Sequence, residues 1–521
     1  TQDDITYAIK IKRYVRQGSP LAMLEFLYNM DPVIIHLENR LTGIHLYSMP
    51  VAGPVLAGEP SIPPVEDKFS VKGYADDLKV ALKTMAEFLL LDMILSVFVA
   101  ASGFQVHRDP GQDKCKVLLL GNWKHLKQED IPVNYLRISN FLDMLGVTIM
   151  ATFTQTRKVN GDKLQKKYSD TVNPWRVGRF MPITERGWSL NTYALSKVWY
   201  KSHCVPLRAA DINSINGTTR KWLYADQLVK PTDLVKYRSK DDGGLGLFHV
   251  KCKSTATLIK SFLETAANTT YIRSMYHQAL LSWHVLDDHS IPNPGNSPYY
   301  NVEVFNVIKM AVEQGKSISN MTCKEWYQFL LNQELNELSP DGNYALKPCR
   351  VELQQPQHNW SHSWSLSRLK GLSSSSMSFL WKCLHQLLPT RERQSRILRD
   401  GNNSICSVCD AGEVDSLEHA LASCVRSRDT FEWLKTGLER FSAGLTAEKI
   451  LKLELSPSVP LPFNELPLVW FTAEVLKNLW DLRSAGKPCR LLQIKASVAA
   501  ECNILQLSNY RDMVPIIETM F

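Results

Sequence analysis

Cys406-Ser-Val-Cys409 is followed by nine residues to His419 and four more to Cys424. A Cys-x-x-Cys turn sets two thiolates side by side, and a histidine and a cysteine on a short helix can close a tetrahedron around zinc. The window therefore predicts a small structural zinc-binding module with Cys406, Cys409, His419 and Cys424 as ligands. The competing reading is a redox-active or incidental cysteine pair, but no thioredoxin-like strand–helix pattern surrounds it. His385 is a rival ligand. It lies upstream in Phe379-Leu-Trp-Lys-Cys-Leu-His-Gln-Leu-Leu-Pro-Thr390, a helical pattern in which packing is its expected role. A site with four protein ligands has no open coordination position, so its expected work is folding rather than catalysis.

The eleven cysteines are too sparse and irregular for a disulfide scaffold in 521 residues, and are expected as reduced thiols or metal ligands. That length implies about two to four domains. With 44 % hydrophobic and 21 % charged residues the chain is of the globular class. Its net charge of +8 suits a nucleic-acid partner and many ordinary soluble proteins alike. Met85 to Phe104 is apolar enough to raise the question of a membrane, but Glu87 and Asp92 sit inside it, and acidic residues at the bilayer centre are costly. A buried core helix is expected there. No basic-then-apolar leader opens the sequence. The expected setting is intracellular, nuclear or cytoplasmic, with no membrane partner and no secretion.

Along the chain, Ser19 and Pro20 read as an N-cap and first-turn proline. Met23, Leu27, Met30, Ile34 and Leu37 follow at helical spacing, with Pro32 expected to kink or restart the helix. Pro50 to Pro64 is a proline- and glycine-rich loop. Phe69 to Leu82 reads as a tight hairpin: Phe69 to Tyr74 on one side, Leu78 to Leu82 on the other, and Ala75-Asp76-Asp77 at the apex, where acidic residues are tolerated. The apolar helix follows and ends near Ser102-Gly103. Strands are expected at Val117 to Leu120 and Phe141 to Thr148. From Thr152 the pattern turns helical and basic, with Arg157, Lys158, Lys163, Lys166 and Lys167 clustered, then tryptophans expected mostly in the core. Gly243-Gly244-Leu-Gly246 lacks the spacing of a phosphate loop and reads as a plain turn. Ser290 to Tyr300 looks like a linker. The segment beyond Phe431 reads as helices broken between Pro457 and Pro467, with no functional signal.

Nucleotidyl transfer needs two hard divalent cations, one activating a 3′ hydroxyl and one stabilising pyrophosphate. Tyr74-Ala75-Asp76-Asp77 can place two carboxylates beside a phosphate, with Ala75 small enough to admit a primer end. Isolated acidic pairs are commonly solvated turns. Here the pair lies within an ordered succession: Arg16-Gln17-Gly18-Ser19-Pro20, a helix, the Tyr-Ala-Asp-Asp hairpin, a helix ending Ala-Ser-Gly-Phe104, Asp113-Lys114-Cys115-Lys116-Val-Leu-Leu-Leu-Gly121, and Phe141-Leu-Asp-Met-Leu-Gly146. This succession resembles the reverse transcriptases of non-LTR, LINE-like retrotransposons, from the second palm motif through the primer grip. The Phe379–Arg391 segment and the cysteine window resemble the zinc-binding module found after the thumb in several of them.

The resemblance covers roughly residues 11 to 430. It implies an α+β fold: a partial polymerase palm carrying the hairpin (1–150), a helical thumb and connection (151–270), a linker and helices (271–350), a zinc-binding module (351–430) and a helical tail (431–521). It implies RNA-directed DNA synthesis with magnesium on Asp76 and Asp77 and with Lys114 as a proton donor to pyrophosphate. Arg16, Gln17, Gly18 and Tyr74 would lie at the template, primer end and nucleotide, and Leu145-Gly146 would form the turn gripping the primer. The partners implied are an RNA template, a DNA primer and deoxynucleoside triphosphates; oligomeric state is left open. Lys163, Lys166 and Lys167 either contact the backbone of an RNA–DNA hybrid or form a solvated helix face. Two departures stand out. His107 occupies a place where asparagine is more frequent. The family's first palm aspartate, which bridges both metals, has no counterpart, since Asp3 and Asp4 lie too near Gln17. The expectation is a chain inactive alone. The alternative is a noncatalytic nucleic-acid-binding zinc protein.

Overall fold

The computed structural model describes residues 22–47, 66–74, 77–102, 106, 108, 114–175, 181–224, 230–268, 299–338, 344–399, 404–409, 411–506 and 508–521. The described chain is mostly helical with small two-stranded sheets. It divides into two compact units that interleave along the sequence. One comprises Thr1–Lys163, Tyr200–Arg208 and Ser254–Tyr327, and the other Leu164–Trp199, Ala209–Lys253 and Gln328–Phe521. The segment read from sequence as a thumb is thus shared between units, while the zinc window and the tail fall in one.

In the first unit, α1 (Ala22–Arg40) runs without a break through Pro32, where the sequence suggested a kink or restart. Val33 and Leu37 on α1 and Leu41 just beyond it pack with Val71, and with Leu91 and Ile94 on α2 (Met85–Ser102), into one apolar cluster. β1 (Ile44–Tyr47) pairs antiparallel with β2 (Glu66–Phe69), so Phe69 belongs to that pair rather than to the hairpin predicted for it. β3 (Val71–Tyr74) pairs antiparallel with β4 (Asp77–Val80), Tyr74 opposite Asp77. At Gly73 a Cβ would lie 2.6 Å from Ile34 Cδ1, the movable end of that side chain, so β3 runs close against α1.

The acidic residues of α2 have specific work. Glu87 is buried and accepts backbone N–H bonds from Thr42 at 2.5 Å, Lys83 at 2.5 Å and Thr84 at 3.0 Å, capping the helix and tying it to the chain after α1. Those bonds outweigh burial, which alone would raise its pKa, and hold the carboxyl below its usual range. Asp92 accepts from Tyr135 at 2.8 Å and pairs with Arg108 at 3.1 Å. No described helix is long and apolar enough to cross a membrane.

β5 (Lys116–Val117) pairs in parallel with β6 (Arg137–Ile138), shorter than the strand expected to Leu120. The strand expected over Phe141 to Thr148 is a hairpin instead, β7 (Phe141–Met144) against β8 (Val147–Met150), because Leu145 and Gly146 turn the chain. α3 (Phe153–Val172) follows.

In the second unit the glycine turn is a core element. Gly243 sits at φ +75°, and a Cβ there would lie 2.5 Å from Trp364 Cε2. Its carbonyl accepts from Trp381 Nε1 at 2.8 Å and from His385 Nε2 at 2.7 Å. Trp364 stacks on His385 and on Trp360, with ring centroids 4.4 and 5.3 Å away. Beside this stack Glu352 receives both terminal nitrogens of buried Arg238, at 2.8 and 3.0 Å. Asn191, in a π-helical turn (Leu190–Leu195), clasps the glycine segment through Gly246 O and Phe248 N. The tail packs through Trp433, Phe471 and Phe521, whose ring centroids are 5.3 to 5.8 Å apart.

Candidate metal centre and polymerase-like hairpins

A short antiparallel ribbon carries the first two cysteines. Ile405 bridges Val414, Cys406 N–H donates to Glu413 O at 2.9 Å, and Asp415 N–H donates to Ser404 O at 2.8 Å. The other two ligands come from one π-helical turn, His419–Ser423, closed by Cys424 N–H to His419 O at 2.8 Å. An α-helical turn aligns residues four apart. The wider π-turn closes over five and brings His419 and Cys424 together. One donor atom from each of Cys406, Cys409, His419 and Cys424 lies within 4.8 Å of every other. His419 Nε2 is 3.4 Å from Cys409 Sγ, while its Nδ1 meets Glu413 Oε2 at 2.7 Å. A carboxylate on Nδ1 fixes the ring and leaves Nε2 for a metal.

Three sulfurs and one imidazole nitrogen at this spacing fit tetrahedral zinc, and the cluster could hold a zinc ion. At Cys406 the surroundings favour deprotonated sulfur, while at Cys409 the Ala411 N–H bond is outweighed by burial and by the neighbouring Cys406 and Cys424, which hold that thiol up. Burial opposes the Cys406 thiolate, yet hydrogen bonds from Arg483, the Val408 and Cys409 backbone N–H groups and His419 outweigh it and hold the thiol down to about 6. His385, the rival ligand, lies outside the cluster, committed to Gly243 and the tryptophan stack.

Sequence reasoning missed two residues here. Arg483, on the helix Leu466–Ser484, donates to Cys406 Sγ at 3.2 Å, Cys424 Sγ at 3.5 Å and Asp415 Oδ1 at 2.6 Å. Asp415 also accepts from Arg391 N at 2.9 Å. Nothing local marks an arginine 59 positions beyond Cys424 as its neighbour; only the fold brings them together.

In the first unit, β3 and β4 set Tyr74 opposite Asp77. Asp76 lies outside the described residues, as do Arg16, Gln17 and Gly18. Lys114 is exposed in the turn before β5. Leu145 and Gly146 take φ values of +49° and +76°, the signs of a type I′ two-residue hairpin. Glycine adopts that backbone freely; leucine does so at a cost, and such outliers collect at functional sites. Leu145 is exposed, and its carbonyl accepts the Tyr200 hydroxyl at 2.5 Å.

The basic cluster separates by role. Lys163 donates to Thr148 Oγ1 at 2.6 Å and lies 3.5 Å from Asp143. The Thr148 hydroxyl, then Lys163, hold the Asp143 carboxyl below its ordinary range. Arg157 donates to the carbonyls of Pro206 and Leu207 at 3.0 and 2.9 Å. Those two side chains buttress the chain, although Lys163 is itself exposed, as are Lys158, Lys166 and Lys167. Trp364 and Trp381 are core, as expected of most tryptophans, but Trp188 is exposed. No protein-family model matches the chain, and no curated protein matches it.

Proposed function

We propose that this chain is part of the RNA-directed DNA polymerase of a non-LTR retrotransposon. The reading rests on its motif order, and one observation carries it furthest. A hairpin pairing Tyr74 with Asp77 is followed in sequence by a second hairpin turning on Leu145 and Gly146. These are the places of the metal-binding acids and of the primer grip in that family. Asp76 and Asp77 would share two magnesium ions with the triphosphate, and Lys114 would give a proton to the departing pyrophosphate. Lys166 and Lys167 would meet phosphates of the RNA–DNA hybrid. The zinc module, lacking an open ligand position, would serve folding and grip. The setting would be an intracellular ribonucleoprotein.

The test is primer extension on an RNA template in magnesium, by this chain and by this chain joined to a segment bearing the family's first palm aspartate. Synthesis in either form that is lost in Asp76→Asn and in Asp77→Asn supports the reading. Synthesis indifferent to both substitutions overturns it. Salt-sensitive hybrid binding with no synthesis in either form would favour the noncatalytic, zinc-bearing nucleic-acid binder.

A further inference from the structure

Residues 431–521 carry no motif, yet the helix Leu466–Ser484 is buried along its first eleven positions, Leu466 to Leu476. Near its far end stands Arg483, whose side chain is 7 % exposed. A buried guanidinium needs anionic or strongly accepting partners to replace water. Asp415, itself 8 % exposed, supplies one. The other two acceptors are the sulfurs of Cys406 and Cys424. A neutral thiol accepts weakly, whereas hydrogen bonds to ionised acceptors are strong, so this placement matches deprotonated sulfur. Zinc with three thiolates and a neutral imidazole carries one net negative charge, which the guanidinium, shared with Asp415, offsets in part. The third sulfur is treated differently. Cys409 is partly exposed, accepts a backbone N–H from Ala411 and receives nothing from Arg483.

We propose that Arg483 is a charge-balancing and positioning residue of the zinc centre, which quiets Cys406 and Cys424 and leaves Cys409 as the sulfur through which electrophiles open the site. A sulfur that donates electron density to an N–H bond is a poorer nucleophile, and burial keeps reagents from it. The tail helix thereby becomes part of the metal centre. The inference rests on the cluster holding zinc.

The experiment uses the whole chain. Its zinc is measured by elemental analysis, then the protein is treated with iodoacetamide. The thiolate attacks the iodomethyl carbon, the S–C bond forms as the C–I bond breaks, and iodide leaves. The resulting thioether has lost the negative charge that held the metal. Released zinc is followed with a coloured chelator, and modified ligands are mapped by mass spectrometry. Among the four ligands, Cys409 should be modified first. Arg483→Met should release zinc about tenfold faster, in line with other outer partners of metal ligands, with Cys406 and Cys424 now reacting as well. Arg483→Lys should fall between. In cobalt-loaded protein the sulfur-to-metal charge-transfer band should move to lower energy in Arg483→Met, a change that a purely architectural arginine would not cause. First modification at Cys406 or Cys424, or a folded Arg483→Met variant with unchanged release and unchanged band, overturns the proposal. Should that variant not fold, the wild-type modification order and Arg483→Lys decide. A folded wild-type chain without zinc overturns the metal reading itself, a result separable from the others.

Discussion

The β3–β4 hairpin and the ribbon joining residues 404–406 to 413–415 both present candidate ligands on two short strands, but their support differs in kind. The first is held by apolar packing of Val71 and its neighbours against α1 and α2. The second is held by polar contacts aimed at its ligands: Glu413 on His419, and Arg483, itself paired with Asp415, on the buried sulfurs. If the acidic hairpin is the polymerase site proposed above, it has to leave room for primer, template and nucleotide. A closed metal site has no visitor, so its surroundings can be spent on fixing its ligands. Rigidity around the metal and openness at the acidic hairpin are therefore what experiments should find.

The harshest way to break the comparison is to remove the metal. Structural zinc contributes on the order of 10 kcal/mol, so Cys406→Ser or Cys424→Ser should abolish zinc binding and loosen the region around Trp381. Elemental analysis and tryptophan fluorescence check this, and a zinc-free yet native chain would erase the contrast.

Gly243→Ala comes next. It places a methyl group against Trp364 at a left-handed backbone position, and a loss of about 3 kcal/mol is expected in denaturant melts. An unperturbed melt would mean that the tryptophan stack yields easily.

The pH dependence sharpens the same point. Burial pushes the His385 pKa down to about 4, against about 6.5 in an unfolded chain. The unfolded state therefore binds the extra proton first. The stability is complete above about pH 6.5 and is lost as pH falls towards 4, by up to about 3 kcal/mol. His385→Gln should flatten this dependence relative to the wild type, which separates it from acid loss of the metal ligands.

Tyr200→Phe removes the hydroxyl that holds the Leu145 carbonyl and should cost about 1 kcal/mol. If the turn grips a primer, hybrid affinity should fall as well.

The smallest effect on stability belongs to Lys166→Gln with Lys167→Gln, under about 0.5 kcal/mol. Yet that pair should lower the salt dependence of hybrid binding by about two phosphate contacts. Lys163→Gln should act the other way round, loosening the β7–β8 hairpin through Thr148 and Asp143. An unchanged salt slope in the double variant would return Lys166 and Lys167 to an ordinary solvated face.

Features that depend on neighbours in sequence were readable from the residues alone. Cys406 and Cys409, three positions apart on a turn, and His419 and Cys424, one π-turn apart, carry a spacing that names all four candidate ligands. The pairing of β3 with β4 and the helix over Met85–Ser102 followed from the same local rules, but that helix buries only part of its apolar surface, with Leu89, Met93 and Val97 exposed, and the turn at Gly243 is built into the core rather than plain. One local signal was misjudged. Phe141 to Thr148 reads as one strand, whereas the resemblance placed a turn at Leu145-Gly146, and the chain does turn there. What only tertiary structure decided was set by distance along the chain. Arg483 reaches Cys406 across 77 positions, and Trp381 reaches Gly243 across 138. A buried arginine or tryptophan N–H must find an acceptor wherever the fold delivers one, and no spacing rule in the sequence records where that will be.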